Sequence, residues 1–260
     1  MRLTLFQADA FTSRIFGGNP AAVCPLAEWI SDDLMQAIAA ENNLAETAFF
    51  VKQGEKFDLR WFTPVAEVDL CGHATLATAH IMYTELRYTS PEILFDTRSG
   101  VLEVNKNGSG YTMNFPTVVL IPVETPEEIT KGLELTPQKV FRGKTDYLVV
   151  IESQEQLEAL SPDFRTLAQG KVRGTIVTAP GNEVDFVSRC FYPQYGIDED
   201  PVTGSAHTTL TPYWAKELNK SKLTAQQLSA RKGELTCIHQ GDRTELIGQA
   251  VTYLRGDIWV

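Results

Sequence analysis

The sequence predicts an α+β fold built as two similar halves, each a β-sheet wrapped around one central helix. Three observations predict it. Short runs rich in β-branched and aromatic residues dominate the chain, punctuated by Gly, Pro and Asn turns. Two helical runs, 73–87 and 205–219, are apolar on nearly all sides, which suits a helix surrounded by protein. An ordered set of features also comes once in each half of the chain.

The strand signals in the first half are "LTLFQADAF", "ETAFFVK", "FDLRWFT", "GVLEVNK" and "GYTMNFP". The segment "NKNGSGY" between the last two is a hairpin loop, because strands flank it on both sides. A helix is predicted over 31–42, where Ser31 followed by Asp32 and Asp33 makes a sound start. The central helix of this half, 73–87, is interrupted only by Thr75, Thr78, His80, Thr84 and Glu85, and its threonines can bond back to the helix. The second half reads "DYLVVIE", "GTIVTAP", "EVDFVSRCFYP", "GELTCIH" and "TELIGQAVTYLRGDIWV" as strands. Helices are expected there over 153–168 and 205–219, with a weaker one over 224–230. Pro212 should kink or shorten the second central helix.

The segment 118–140 carries prolines 122, 126 and 137 and reads as the crossing between halves 1–117 and 118–260. The repeat runs across it. Arg60-Trp61-Phe62-Thr63-Pro64 and Arg189-Cys190-Phe191-Tyr192-Pro193 are both R-x-F-x-P. After each comes a loop, then Gly72 or Gly204, then a helix closing on Glu-Leu (Glu85-Leu86 and Glu217-Leu218).

Bulk properties exclude several functions. The net charge of −10 argues against nucleic acid or an anionic membrane as partner, since both demand a positive face. No apolar run reaches the ~20 residues of a membrane span, and the first residues lack the pattern of a signal peptide. Cys24, Cys71, Cys190 and Cys237 are scattered with no CxxC pair, which suits reduced thiols in the cytoplasm. His73 and His80 share a helix face but lie too far apart along it to chelate one ion, and no HExxH is present, so no metal is expected.

The repeat suggests a site. A helix start leaves backbone N–H groups unpaired and carries partial positive charge, so two such starts facing one cleft would hold a carboxylate. Gly72 and Gly204 allow a ligand close to the backbone. His73 lies in the first helical turn, where the local potential should keep its ring neutral. Asp200 stands four residues before Gly204, in a run Asp198-Glu199-Asp200 that would repel itself unless one member has a partner. Glu46 interrupts an otherwise buried strand start; apolar surroundings disfavour its charged form, as a general acid/base near neutrality requires.

Four motifs in order, "GGNPAAVC" (17–24), "ETAFF" (46–50), "FTP…LCGHATLATAH" and "EDPVTGSAH" (199–207), resemble the PhzF-like isomerases of phenazine biosynthesis, members of the diaminopimelate epimerase-like superfamily. The resemblance covers essentially the whole chain. It implies two pseudo-symmetric halves with the active site between them, a homodimer, no cofactor, and a proton-shifting isomerisation of a small carboxylate-bearing substrate. By matching motif positions, Glu46 would carry the proton while His73 and Asp200 hold or polarise the substrate. Gly72, Gly204, Ser205 and Asn19 would bind it. Racemases of the superfamily need one cysteine at each helix mouth, and the second half offers none beside Cys71's counterpart, so two-thiol racemisation is excluded. Two alternatives stay open: a silent small-molecule binding protein, and an epimerase with Cys71 opposite a carboxylate.

Overall fold

In the computed structural model, which describes residues 1–260, the chain divides into two units: Met1–Asn114 with Ile247–Val260, and Phe115–Leu246. In the first, β1 (Arg2–Ala10) pairs antiparallel with β2 (Asn19–Leu26). The chain then crosses through α1 (Asp32–Asn42), so β3 (Glu46–Gln53) lies parallel to β2. Strand β4 (Lys56–Phe62) returns antiparallel to β3, and the two-residue β5 (Glu67–Val68) folds back on its end. Helix α2 (Gly72–Thr84) is the crossover that sets β6 (Glu92–Thr97) parallel to β4. Strands β7 (Gly100–Asn107) and β8 (Gly110–Pro116) complete the run as hairpins.

Both faces of β3 are covered. Phe49 and Val51 pack with Met35, Ile38 and Ala39 of α1. Strand alternation turns Glu46, Ala48 and Phe50 the other way, toward α2. Every residue of α2 from His73 to Tyr83 is buried. Its polar atoms are satisfied locally: Thr75, Thr78 and Thr84 donate to the carbonyls of Cys71, Ala74 and His80 at 2.6, 2.7 and 2.7 Å.

The second unit repeats the plan. After β9 (Ile121–Pro122) and α3 (Glu127–Leu133), β10 (Lys139–Arg142) pairs antiparallel with β11 (Asp146–Val150). Helices α4 (Gln154–Ala159) and α5 (Phe164–Leu167) lead to β12 (Gly174–Pro180), which is parallel to β11. Strand β13 (Phe186–Tyr192) is antiparallel to β12, and the short β14 (Ile197–Asp200) folds back on β13. Helix α6 (Gly204–Leu218) then crosses to β15 (Lys222–Gln227), parallel to β13. Strands β16 (Gly233–Gln240) and β17 (Arg243–Gly248) follow. The last strand, β18 (Ala250–Trp259), belongs to the first unit, where it pairs with β1 from Ala250 against Ala10 to Trp259 against Arg2.

Several expectations need correction. A second half running to residue 260 is one strand too long, because β18 lies in the first unit. The apolar run from Thr244 onward is two strands rather than one. The weak helix over 224–230 is mostly strand β15, held between β13 and β16, so sheet pairing overrides a poor local signal. The helix over 153–168 is two short helices, since Pro162 disfavours helical geometry at Ser161 and Asp163 caps a new start. Helix α2 ends at Thr84, three residues short of 87. Pro212 does not shorten α6. The carbonyl it leaves without a helical donor, that of Thr208, accepts instead from Val118 N–H at 3.2 Å.

Candidate active site

The first unit gathers four of the sequence motifs' polar side chains at the start of α2. Glu46 begins β3, Asn19 begins β2, and Cys71 is the residue before the first turn, with Gly72 and His73 opening the helix. Glu46 Oε2 lies 3.0 Å from His73 Nε2, and both side chains are largely buried, 14% and 7% exposed. Asn19 Nδ2 stands 3.2 Å from His73 Nδ1, and Cys71 Sγ is 3.6 Å from the same nitrogen. Cys71 makes no side-chain cap, so the first N–H groups of α2 lack the kind of partner that Ser31 gives α1 at Leu34 N–H.

The expectation of a neutral His73 is not met. Burial disfavours its charged ring, but negative charge on Cys71, once ionised, and on Glu46 outweighs it and holds the pKa well above 6.5. Cys71 itself is pushed up to about 11, chiefly by burial. At neutral pH it is therefore a thiol, with about one molecule in 10⁴ ionised, which leaves Glu46 as the charged neighbour that favours the protonated ring. A helix start contributes about 0.3–1 kcal/mol against a cation, whereas an opposite charge within hydrogen-bond reach shifts a pKa by about 1–3 units. The ion pair wins. Asn19 suits either state of the ring: its N–H can donate to a neutral Nδ1, and its carbonyl oxygen, with the amide turned over, can accept from a protonated one.

The second unit builds a different set at the start of α6. Arg173, immediately before β12, grips the buried Asp146 through Nε at 2.9 Å and Nη2 at 2.5 Å. Its Nη2 also donates to Ser205 Oγ at 3.0 Å, and its guanidinium lies 5.0 Å over the Tyr192 ring. The Asp200 carboxylate accepts a short hydrogen bond from Thr203, whose hydroxyl is thereby diverted from capping α6. Gln227 braces this loop, donating to the Asp200 carbonyl at 2.7 Å and accepting from Thr203 N–H at 2.8 Å. The acidic run finds its partner through Glu199, which pairs with Arg189 at 2.7 Å.

Glu46 and His73 thus come together, as do Asp200 and Ser205 with the start of α6. Asn19, expected to bind substrate, faces the His73 ring. Arg173, Asp146 and Tyr192 escaped the sequence reading. A signal existed: aligning "ETAFF" with "GTIVT", as the R-x-F-x-P repeat invites, puts Arg173-Gly174 against Ala45-Glu46. The expectation that no ligand set exists for a metal also overlooked Glu46, whose oxygen, Cys71 Sγ and a His73 nitrogen lie within 4.8 Å of one another. These are ligand types that suit zinc, yet both His73 nitrogens already have protein partners in Glu46 and Asn19. The arrangement's ready chemistry is proton transfer, with a carboxylate and an imidazole 3.0 Å apart at a helix start.

The pattern of the PhzC-PhzF family, described as phenazine biosynthesis-like protein, matches residues 8–256. A Pseudomonas aeruginosa protein named an uncharacterized isomerase is 49% identical over 258 residues, covering 99% of both chains. The crystal structure of a phenazine biosynthesis protein of the PhzF family from Enterococcus faecalis superposes with a TM-score of 0.97 at 41% identity, over 100% of both chains. A hydroxyproline epimerase from Agrobacterium vitis shares the fold, with a TM-score of 0.64 at 9% identity over 99% of this chain and 92% of its own.

Proposed function

The chain belongs to the phenazine biosynthesis-like family, and from that premise we propose that it is a cofactor-independent isomerase. It shifts a proton within a small carboxylate-bearing cyclic or amino-acid substrate, with Glu46 as general acid and base. The observation that carries this reading is the Glu46–His73 pair, 3.0 Å apart and largely buried at the start of α2. As carboxylate, Glu46 takes a proton from one substrate carbon. The electron pair left behind delocalises, and Glu46, whose proton can exchange with solvent between the two steps, returns a proton to another carbon, so no co-reactant is needed. His73, held protonated beside Glu46, offers positive charge where negative charge develops. Asp200 joins in holding or polarising the substrate, and Ser205 with the N–H groups around Gly72 and Gly204 takes the carboxylate.

Solvent deuterium entering a bound substrate tests the reading. Wild type should exchange, and Glu46→Gln should not; undiminished exchange in Glu46→Gln would sink the mechanism. A silent binding protein would show no exchange in either. A mixed-base epimerase using Cys71 is the weaker reading, because burial leaves so little thiolate. Alkylating the thiols without loss of exchange would eliminate it.

The proposal extends to a homodimer in the cytoplasm. All four cysteines are unpaired and buried, in keeping with a reducing compartment, and no helix is long and apolar enough to cross a membrane. Light scattering would give twice 28.9 kDa for the dimer.

A further inference from the structure

Register makes the two units comparable residue by residue. In the first, β3 and β4 pair Thr47 with Phe62; in the second, β12 and β13 pair Thr175 with Phe191. Glu46 therefore corresponds to Gly174, and His73, which follows the glycine of its helix, corresponds to Ser205. A side chain at Gly174 is impossible, because its Cβ would lie 2.1 Å from Tyr192 Cδ1. The Tyr192 ring fills the place that the Glu46 side chain occupies in the first unit. Directly before that glycine stands Arg173, which reaches Ser205 at 3.0 Å as Glu46 reaches His73 at 3.0 Å. Where one unit sets an acid against the second residue of its central helix, the other sets a cation.

We propose that Arg173 is the carboxylate-selecting residue of the second unit, acting with the Ser205 hydroxyl, and that Asp146 is its positioning residue. This deepens the isomerase reading and rests on it for the class of substrate. Asp146 holds the Nε and Nη2 edge, so the guanidinium cannot swing away, and the two Nη1 hydrogens are left for a ligand. Arg173 is one-third exposed while Asp146 is 3% exposed, so the cation faces outward from a buried clamp. Nη2 donating to Ser205 Oγ makes that oxygen an acceptor and frees its own hydrogen to donate. The start of α6 has no side-chain cap, so its N–H groups add to the same positive pole. A separate observation points the same way: the Tyr192 ring packs against the guanidinium at 5.0 Å, and its buried hydroxyl interacts electrostatically with Arg173, Asp146 and Cys190.

The test is calorimetric titration of the full chain with 3-hydroxyanthranilate and with 2-aminophenol, the same ring without its carboxylate. Arg173→Met should weaken 3-hydroxyanthranilate by about ten- to a hundredfold, the range for losing a charged hydrogen bond, and leave 2-aminophenol unchanged. Arg173→Lys should recover part of the loss, since a point charge attracts a carboxylate without forking onto it. Asp146→Asn with Arg173→Gln leaves no lone buried charge and should show the same selective loss if Arg173→Met fails to fold. Equal loss of both ligands, no loss of either, or a wild type that binds 3-hydroxyanthranilate no better than 2-aminophenol overturns the proposal. Deuterium exchange is read separately. Exchange that depends on Glu46 while binding ignores Arg173 refutes the carboxylate role alone; absence of exchange with selective binding intact refutes the isomerase reading alone.

Discussion

The two units share a scaffold and differ at its mouth. Arg60 forks onto Glu67 at 2.7 and 2.8 Å with its guanidinium 5.2 Å over Phe62. Arg189 forks onto Glu199 at 2.7 and 2.9 Å with its guanidinium 5.2 Å over Phe191. Each R-x-F-x-P segment thus places an arginine on the strand before the central helix, pins it to an acid on the short strand that follows, and rests it on the phenylalanine two residues on. At the helix starts the likeness ends, with Glu46–His73 in one unit and Arg173–Ser205 in the other. The strands and ion pairs that shape a duplicated frame are kept. The few polar side chains at the two helix starts differ in charge.

That contrast breaks most sharply at Glu46. Glu46→Gln preserves shape and hydrogen bonding but cannot carry the proton, so turnover should fall about 10²–10⁴-fold. The fold should survive, read by an unchanged far-ultraviolet spectrum. Ser205→Ala, the counterpart of a change at His73, should instead raise KM with kcat nearly intact. Equal effects on kcat at both positions would erase the proposed division of labour.

The matched arginines sharpen the comparison from the side of stability. Arg189 is 13% exposed and donates additionally to the carbonyls of Leu157 and Leu160 at 3.2 and 2.8 Å. Arg60 is 20% exposed, and its partner Glu67 keeps a second cation, Arg98, at 2.7 Å. Arg189→Met should therefore cost about 2–4 kcal/mol, at the low end of the range for breaking a buried pair, and Arg60→Met about 1–2, because both pairs keep some solvent. Urea midpoints would show the order, and the reverse order would mean that the backbone contacts of Arg189 carry little.

Much of this was legible in the sequence, and the misses share causes. The R-x-F-x-P repeat and the all-apolar helices exposed the frame, because burial on every side leaves a compositional mark. Glu46 stood out as a charge inside a buried strand. The upward pull on the His73 pKa did not show, because it depends on a partner 27 residues away whose approach only the sheet register sets. Arg173 carries no mark in "GKVRGT", because nothing local shows that Asp146 clamps it. Strand β18 was given to the wrong half because sequence order says nothing of its pairing with β1.

Histidines on the two central helices respond to pH with opposite signs. His207 is pushed down to about 4 by burial, its Nδ1 donating to the Thr203 carbonyl at 2.8 Å. Its folded pKa lies below the unfolded value, so the stability it contributes is full above pH 6.5 and lost as pH falls toward 4. The full difference corresponds to about 3 kcal/mol, and His207→Gln should remove about 1–3 of it from the acid side. His73 has the opposite sign: its pKa is raised, so its contribution is present below 6.5 and fades as pH climbs through the folded value. His80, also pushed down to about 4, chiefly by burial, adds acid sensitivity to the first unit. Urea melts from pH 4 to 9 on His207→Gln and His73→Gln should diverge from wild type at opposite ends; divergence at the same end would contradict the ion pair.

The smallest effect is expected where the two central helices differ most visibly in sequence. Pro212 of α6 occupies the position of His80 in α2, eight residues after the opening glycine in each. His80 keeps its backbone N–H, and its ring contacts the Tyr111 and Thr252 hydroxyls at 3.1 and 3.0 Å. A proline inside an isolated helix costs about 3 kcal/mol relative to alanine, which would make Pro212→Ala strongly stabilising. Here the Thr208 carbonyl already has a donor in Val118, and alanine would relax the unfolded chain that proline stiffens. The restored N–H would share the Thr208 oxygen, which has two lone pairs. Pro212→Ala should therefore shift stability by less than about 1 kcal/mol. A gain near 3 would mean that the Val118 bond is a poor substitute for the helical one, and that the second central helix carries strain that the first does not.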